Sequence, residues 1–272
     1  MNNSLNISIV TYDLHEAQLG ATLRALQTAL HAAARDSLVH TFKTFVIDNG
    51  NNTRTLSRLL KGDEFSGLNL TLIENSTNIG FGAAHNVAIR KCDSNYHLIL
   101  NPDAELHESA LRNGIELLRN RSDASVIGAR GLNESGKELY LAKRYPSLLV
   151  LLVRGIGLKW LNRLFARQLD RYECHDLIGT PTAREVPIVS GCMMLCRSDP
   201  LIEVGGFDER YFLYFEDFDL CHRLSSHRKI LYSPDVMVIH HGGNASRKGI
   251  SHVLHFVKSA LVFFSTHGWR LV

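Results

Sequence analysis

Three carboxylates within four positions, Glu216, Asp217 and Asp219, stand among aromatic and leucine side chains in the stretch FLYFEDFDLCHRL, from Phe212 to Leu224. Acids so placed suit proton transfer, ion binding or a solvated helix start, and helical periodicity separates these uses. In a helix beginning near Glu216, Asp217 shares a stripe with Leu220, Cys221 and Leu224 and so faces inward. Glu216 and Asp219 share the neighbouring stripe with Arg223, and Asp219 with Arg223 makes a favourable i,i+4 pair. This reading gives Glu216 and Asp219 a structural explanation that Asp217 lacks. An inward carboxylate at a helix start is costly unless it is used, and partial burial raises its pKa toward that of a working general base. Asp217 is the first candidate for a catalytic base and Glu216 the second, with hydroxyl binding as the other reading of Glu216.

Such groups need elements to position them. Short β-rich runs at 6–12, 42–48, 69–75, 96–101 and 124–130 alternate with helix-period segments at about 15–35, 52–62, 80–91 and 107–121. The alternation predicts an α/β fold with a mostly parallel sheet and helices on both faces, where ligands bind beyond the carboxyl ends of the strands. Those ends carry Thr11, Tyr12 and Asp13, then Asp48 and Asn49, then Asn101, Pro102 and Asp103. The second half is less regular, with a strand-like run at 185–197, a Gly-containing turn at 203–210, a short strand pair around 229–239, and the histidines of HHGGNAS at 240–246.

Composition narrows the function classes. The 272 residues, 45% of them hydrophobic, suffice for a buried core, and no repeat or linker divides them. A formal charge of +3 is far from the concentrated positive field of a nucleic-acid binder. Five cysteines without paired CxxC spacing read as reduced core residues. The N-terminus lacks a basic region followed by an apolar one, which predicts a cytoplasmic location. No apolar run approaches the ~18 to 20 residues that span a bilayer. SLLVLLV, at 147–153, leads into a basic amphipathic pattern with Arg154, Lys159, Arg163, Arg167 and Arg171. This segment suits a membrane-surface helix or a helix covering the core, and the apolar stripe at 253–264 leaves the same two readings.

The motifs SIVTYD, VIDNGN, NIGFGAAHNVAI, LILNPDAEL, VSGCMMLCRSD, GGFDERYFLYFEDFDLCHRL and IHHGG, in this order over residues 6–246, resemble those of inverting family-2 glycosyltransferases of the GT-A fold. They look most like the rhamnosyltransferase-like branch that builds bacterial surface polysaccharide. The resemblance implies a GT-A domain over 1–246, with a donor-binding half at about 1–130 and an acceptor and catalytic half at about 131–246, then a C-terminal helix at 247–272 packed on the domain or a membrane surface. It implies transfer of a sugar, L-rhamnose from dTDP-rhamnose, onto a lipid-linked glycan at the cytoplasmic face of the inner membrane. The alternatives are a UDP-hexose or other deoxysugar donor, or a non-catalytic nucleotide- or glycan-binding protein.

By the same resemblance, Asp48 accepts from the imide N–H of a pyrimidine base bordered by backbone near Thr11 and Tyr12. A carboxylate accepts and never donates, which suits that imide, although Asp48 is also placed to cap the helix starting near Asn52. Asn78, Gly82 and Asn86 would line the donor pocket, with Gly80 and Gly82 serving either close backbone approach to a ligand or a plain turn. Asp103, directly after an apolar strand, would hold Mg²⁺ or Mn²⁺ against the donor diphosphate. Asn101 stands where the family commonly has the first acid of an Asp-x-Asp triplet. His240 would complete the ion site, with His241 as its fallback, and Arg247 and Lys248 would offer charge to phosphate. The second acid of the Glu216-Asp217 pair aligns with the family's base. The aromatic faces of Phe207, Tyr211, Phe212 and Tyr214 read as sugar platforms or as core.

Overall fold

The computed structural model describes residues 3–226, 228–242 and 249–272. The first half alternates as its periodicities require: β1 (Ser4–Thr11), α1 (Glu16–Arg35), β2 (Thr41–Asp48), α2 (Thr53–Leu60), β3 (Leu70–Glu74), α3 (Phe81–Ile89) and β4 (Tyr96–Leu100). β5 (Ala104–Leu106), α4 (Ala110–Asn120), β6 (Ala124–Leu132), β7 (Glu138–Leu139) and β8 (Ala142–Lys143) follow. Next come α5 (Leu148–Ile156), α6 (Lys159–Leu164) and α7 (Ala166–Tyr172). The chain continues through β9 (Arg184–Glu185), β10 (Ile188–Val189), β11 (Met193–Arg197), α8 (Ser198–Glu203), α9 (Glu216–Ser225), β12 (Lys229–His240) and α10 (Ile250–His267).

The main sheet runs β3-β2-β1-β4-β11-β6-β12-β5. β1 to β4 are mutually parallel, β11 enters antiparallel between β4 and β6, and β12 is parallel to β6, so the sheet is mostly parallel with antiparallel insertions. Both strands are buried on both faces: β4 is apolar apart from His97, whereas β1 alternates, its Asn6 and Ser8 buried between Leu5, Ile7 and Ile9. Leu5, Ile7 and Ile9 pack with Leu19, Leu23, Leu26 and Leu30 of α1 on one face, while Val10 meets Ala84 and Ala88 of α3 on the other. Each of those α1 leucines is at most 1% exposed and contributes roughly 1.5 to 3 kcal/mol of burial.

Three expectations change. The strand pair around 229–239 is one strand, β12, whose register against β6 shifts between Ser233 and Met237, where Pro234 has no N–H to give the ladder. The run at 185–197 divides into β9, β10 and β11, interrupted at Pro187 and at Ser190–Cys192. β5, too short to carry a period, lies at the sheet edge antiparallel to β12 and pairs Ala104 with His240. The C-terminal helix begins at Ile250, and the 246/247 boundary, with Arg247 and Lys248, lies outside the described residues.

Candidate active site

The site forms where the carboxyl ends of β1, β2 and β4 meet the turn before β11 and the start of α9. Parallel register sets Thr11 beside Asp48, and β4 ends next to β1, so Asn101 and Asp103 arrive on the same edge. β5 then brings Asp103 to the end of β12: His240 Nε2 lies 3.2 Å from Asp103 Oδ1 and 3.3 Å from Asn101 Nδ2. Burial disfavours the His240 imidazolium, but the Cys192 sulfur and the Asp103 carboxylate beside it prevail and hold its pKa up at about 10. His241 points elsewhere, its ring between Glu105 and Glu134 at 2.5 Å each, so it is no substitute for His240 at Asp103. Successive strand residues face opposite ways, which is the physical reason.

These residues fit a hard cation. Among the described residues no three His, Cys, Asp or Glu side chains converge as a complete ion cage. Yet Asn101 Oδ1 is buried without a hydrogen-bond partner among the described residues, and a Cβ on Gly242 would collide with Asp103 Oδ2 and meet His240 Nε2 at 3.1 Å. An amide oxygen, a carboxylate and an imidazole in a cradle kept open by glycine suit an ion whose other positions are filled by phosphate oxygens, provided the ion displaces the proton that His240 holds beside Asp103.

On the other side stands α9. Asp217 is half-buried: its Oδ2 accepts from Gly191 N–H at 3.0 Å and its Oδ1 from Phe218 N–H at 2.9 Å. Glu216 is only 6% exposed, and its Oε2 has no hydrogen-bond partner among the described residues. Burial pushes both carboxyls above their ordinary values, and the Asp217 charge adds to the rise at Glu216, which is the larger. Asp219 is the braced acid, bonded to Arg223 at 2.7 Å and His267 at 2.7 Å, while Arg223 also donates to the Val204 and Gly206 carbonyls. The structural explanation expected for Glu216 and Asp219 together therefore holds for Asp219 alone, because Arg223 is fully engaged elsewhere. Lys143 lies nearby on β8 with Nζ 3.5 Å from Glu173 Oε1; burial pushes its pKa down to about 8 against the pull of Glu173, and its charge favours ionised Asp217.

The Ser190–Cys192 turn ties the two groups together. Gly191 N–H holds Asp217, the Cys192 carbonyl accepts from Asn101 N–H at 2.9 Å, and the Cys192 side chain reaches His240. The sequence pointed to no role for this turn beyond its place in a motif; the only local signal was a glycine between two apolar runs.

The donor-side residues are placed as follows. Asp48 is fully buried, its oxygens accepting from Gly50 N–H at 3.0 Å and Thr53 Oγ1 at 2.6 Å. It thus anchors the entry to α2, whose N-cap is Asn52. Thr11 is buried and Tyr12 is 60% exposed at the edge, with its carbonyl held by Asn52 Nδ2. Asn78 Oδ1 accepts from Asn49 Nδ2 at 2.7 Å and Gly80 N–H at 3.0 Å, shaping the loop into α3, and Asn49 is the hub that sequence reasoning left without a role. Gly80, at φ +91, sits against the Phe212 carbonyl, which accepts from Phe81 N–H at 3.0 Å. Gly82 packs on the Phe207 side chain, where an added Cβ would come within 2.8 Å of the Phe207 Cβ and 3.0 Å of its ring. Asn86 donates to the Phe207 carbonyl and to Glu209 and accepts from Phe207 N–H, so both amide hydrogens are engaged in bracing the 207–209 loop.

That loop continues into backbone under strain. Tyr214 and Phe215 both have left-handed φ, +70 and +64, just before α9. α10 holds them: Tyr214 Oη meets His252 Nδ1 at 2.9 Å, Ser259 Oγ donates to the Leu213 carbonyl, and Phe212 stacks on His255. Phe207 and Tyr211 are core at 2% and 0% exposed, and none of the four aromatics stands free as a platform.

A model of glycosyl transferase family 2 matches residues 9–205. The chain is 27% identical over 223 residues to N-acetylglucosaminyl-diphospho-decaprenol L-rhamnosyltransferase of Mycobacterium tuberculosis, covering 74% of this chain and 69% of that protein. It is 29% identical over 185 residues to rhamnosyltransferase WbbL of Escherichia coli, covering 63% and 64%. Among solved structures, GalNAc-T7 with UDP, GalNAc and Mn²⁺ superposes with a TM-score of 0.64 at 15% identity, over 96% of this chain and 48% of that one. Residues 1–349 of Staphylococcus aureus TarS give 0.57 at 14% identity, over 98% and 73%. At such identities the structural likeness concerns the fold, and the fold is GT-A.

Proposed function

Because the chain belongs to glycosyl transferase family 2 and is a rhamnosyltransferase-like glycosyltransferase, we propose that it moves L-rhamnose from dTDP-rhamnose, with inversion, onto a lipid-linked glycan at the cytoplasmic face of the inner membrane. The observation that carries the mechanism is the pair of chemically distinct centres bridged by the Ser190–Cys192 turn: Asp217 on one side, Asp103 with His240 on the other. The names of the M. tuberculosis and E. coli relatives support the donor sugar.

In this reading Asp217 accepts the proton of the acceptor hydroxyl as that oxygen bonds to the anomeric carbon. The bond from that carbon to the diphosphate breaks on the opposite face, and the diphosphate leaves with the electron pair. One displacement inverts the configuration. The two backbone N–H bonds to Asp217 fix its orientation, and Lys143 helps keep it ionised although burial raises its pKa. Asp103 and His240, with Asn101 Oδ1 alongside, would hold Mg²⁺ or Mn²⁺, whose chemistry here is neutralisation of the departing diphosphate. Thr11, Tyr12, Asp48, Asn78, Gly82 and Asn86 form or brace the wall against which the nucleotide lies.

The test has two arms. Thermal unfolding is followed with dTDP-, UDP- and GDP-sugars, each with Mn²⁺, Mg²⁺ or chelator, where a donor well above its Kd adds roughly 2 to 3 kcal/mol. The expected result is a metal-dependent rise selective for dTDP-rhamnose. A rise with UDP-sugars alone would replace the donor and keep the chemistry. In the second arm Asp217→Asn keeps that rise and loses transfer by roughly 10² to 10⁴-fold; undiminished transfer would remove Asp217 as the base.

A further inference from the structure

We propose that the outer faces of α5, α6 and α10, together with the residues after α10, form one surface that binds a bilayer carrying anionic lipid. The proposal deepens the lipid-linked-acceptor reading by naming the face and the lipid chemistry, and it stands on four observations.

Thirteen of the eighteen exposed large apolar residues among those described lie in just two stretches, 152–164 and 250–272. Leu152, Trp160, Leu164, Leu254 and Leu271 are each more than 60% open. A domain of this size rarely leaves so concentrated an apolar area bare unless something covers it. The two stretches are also contiguous. The N–H groups of Leu148 and Leu149, at the start of α5, donate to the carbonyls of Arg270 and Leu271, and Tyr145 Oη donates to that of Gly268. The inner sides of α5 and α10 share one aromatic core, with Leu148 and Leu151 against Phe263 and Phe264.

Charge then selects the occupant. Residues 146–169 and 249–272 contain six of the chain's 30 lysines and arginines and none of its 27 acids, leaving 24 bases against 27 acids elsewhere. A second copy docked through this face would set like charges against each other. Anionic headgroups with acyl chains beneath match both the cations and the apolar side chains. No described helix is long and apolar enough to cross a membrane, so the surface lies on the bilayer. Finally, the chain's only two tryptophans, Trp160 and Trp269, are both on this face, at 64% and 53% exposed, and their amphipathic rings suit the headgroup level. α10 links the surface to the chemistry, since it grips the 212–215 loop that enters α9.

The experiment is sedimentation of the full chain with vesicles of phosphatidylcholine alone or mixed with phosphatidylglycerol, read together with tryptophan emission. Binding is expected to the mixed vesicles, with a blue shift from both indoles, and to weaken in high salt. Lys159→Gln with Arg163→Gln and Arg167→Gln should lower affinity for the mixed vesicles roughly tenfold or more. Trp160→Gln with Leu164→Gln should reduce binding and remove part of the shift. These α6 and α7 side chains are exposed and outside the site, so thermal unfolding and transfer to a water-soluble acceptor should be unchanged. Failure of the parent chain to bind mixed vesicles overturns the proposal, as does undiminished binding by both variants. Self-association without vesicles that these variants abolish would assign the face to a second copy instead. Vesicle binding and transfer are read separately, so loss of one reading leaves the other standing.

Discussion

Glu216 and Asp217 are neighbours in the chain and opposites in environment. Asp217 has two backbone N–H donors that favour its charge and a place at the opening; Glu216 has an oxygen unpartnered among the described residues and the more strongly raised pKa. An amide mimics the protonated form that burial favours at Glu216, so Glu216→Gln should keep transfer within roughly tenfold, whereas Asp217→Asn should lose it in the range expected for a general base. Because Asp217 must be ionised to accept a proton, kcat/KM should fall on the acid side with a midpoint above that of an ordinary aspartate, and Glu216→Gln should leave that limb in place. The reverse ranking of the two amides would exchange their roles. The stripe with Leu220 and Cys221 made Asp217 legible in the sequence. Gly191 and Cys192, which join Asp217 to the Asp103 side, were not, since neighbours contributed by distant segments leave no local period.

At the scale of elements, α10 acts as a clamp on the backbone that delivers α9. Consecutive left-handed residues cost of order 1 to 3 kcal/mol each and persist only where surroundings over-determine them. Here those surroundings are Phe263 and Phe264, buried against Phe215 and Tyr211. Phe263→Ala should therefore destabilise by about 3 to 5 kcal/mol in urea unfolding. A loss below about 1 kcal/mol would show that the helix merely rests on the domain. This clamp was visible in the sequence only as an apolar stripe, because what the stripe faces is a tertiary matter. The βα alternation of the first half, by contrast, was readable nearly to the residue: strands expected at 42–48 and 96–101 appear as Thr41–Asp48 and Tyr96–Leu100. Both faces of those strands are covered, so apolar content tracks the element. β11 lay within the strand-like run at 185–197, but its direction was not legible, because an antiparallel insertion has the same composition as a parallel strand; β12 looked like two strands because Pro234 breaks the ladder without ending it.

For the whole molecule, the face of the sheet under α3 contains a polar cluster that neither the site nor the surface uses. Ser8 Oγ lies 2.7 Å from His85 Nδ1 and 2.9 Å from His97 Nε2, all three fully buried, with His85 Nε2 and His97 Nδ1 unpartnered among the described residues. Burial holds both imidazoles neutral and lowers their pKa values to about 3, with His97 adding to the depression at His85. An unfolded histidine titrates near 6.5, so between that pH and about 3 the unfolded chain binds up to two protons that the folded chain refuses. Stability must then fall as pH falls through this window, by up to about 1.4 kcal/mol per pH unit for each histidine. Glu216, whose pKa is raised, works in the opposite sense, and comparison of variants with the parent removes its share. Urea unfolding of the parent and of His97→Gln between pH 7 and 4.5 should show the variant less stable at pH 7, because a packed hydrogen bond is lost, but with a shallower decline toward acid. Parallel declines would mean that His97 takes up its proton without unfolding, and that water reaches the centre of the sheet.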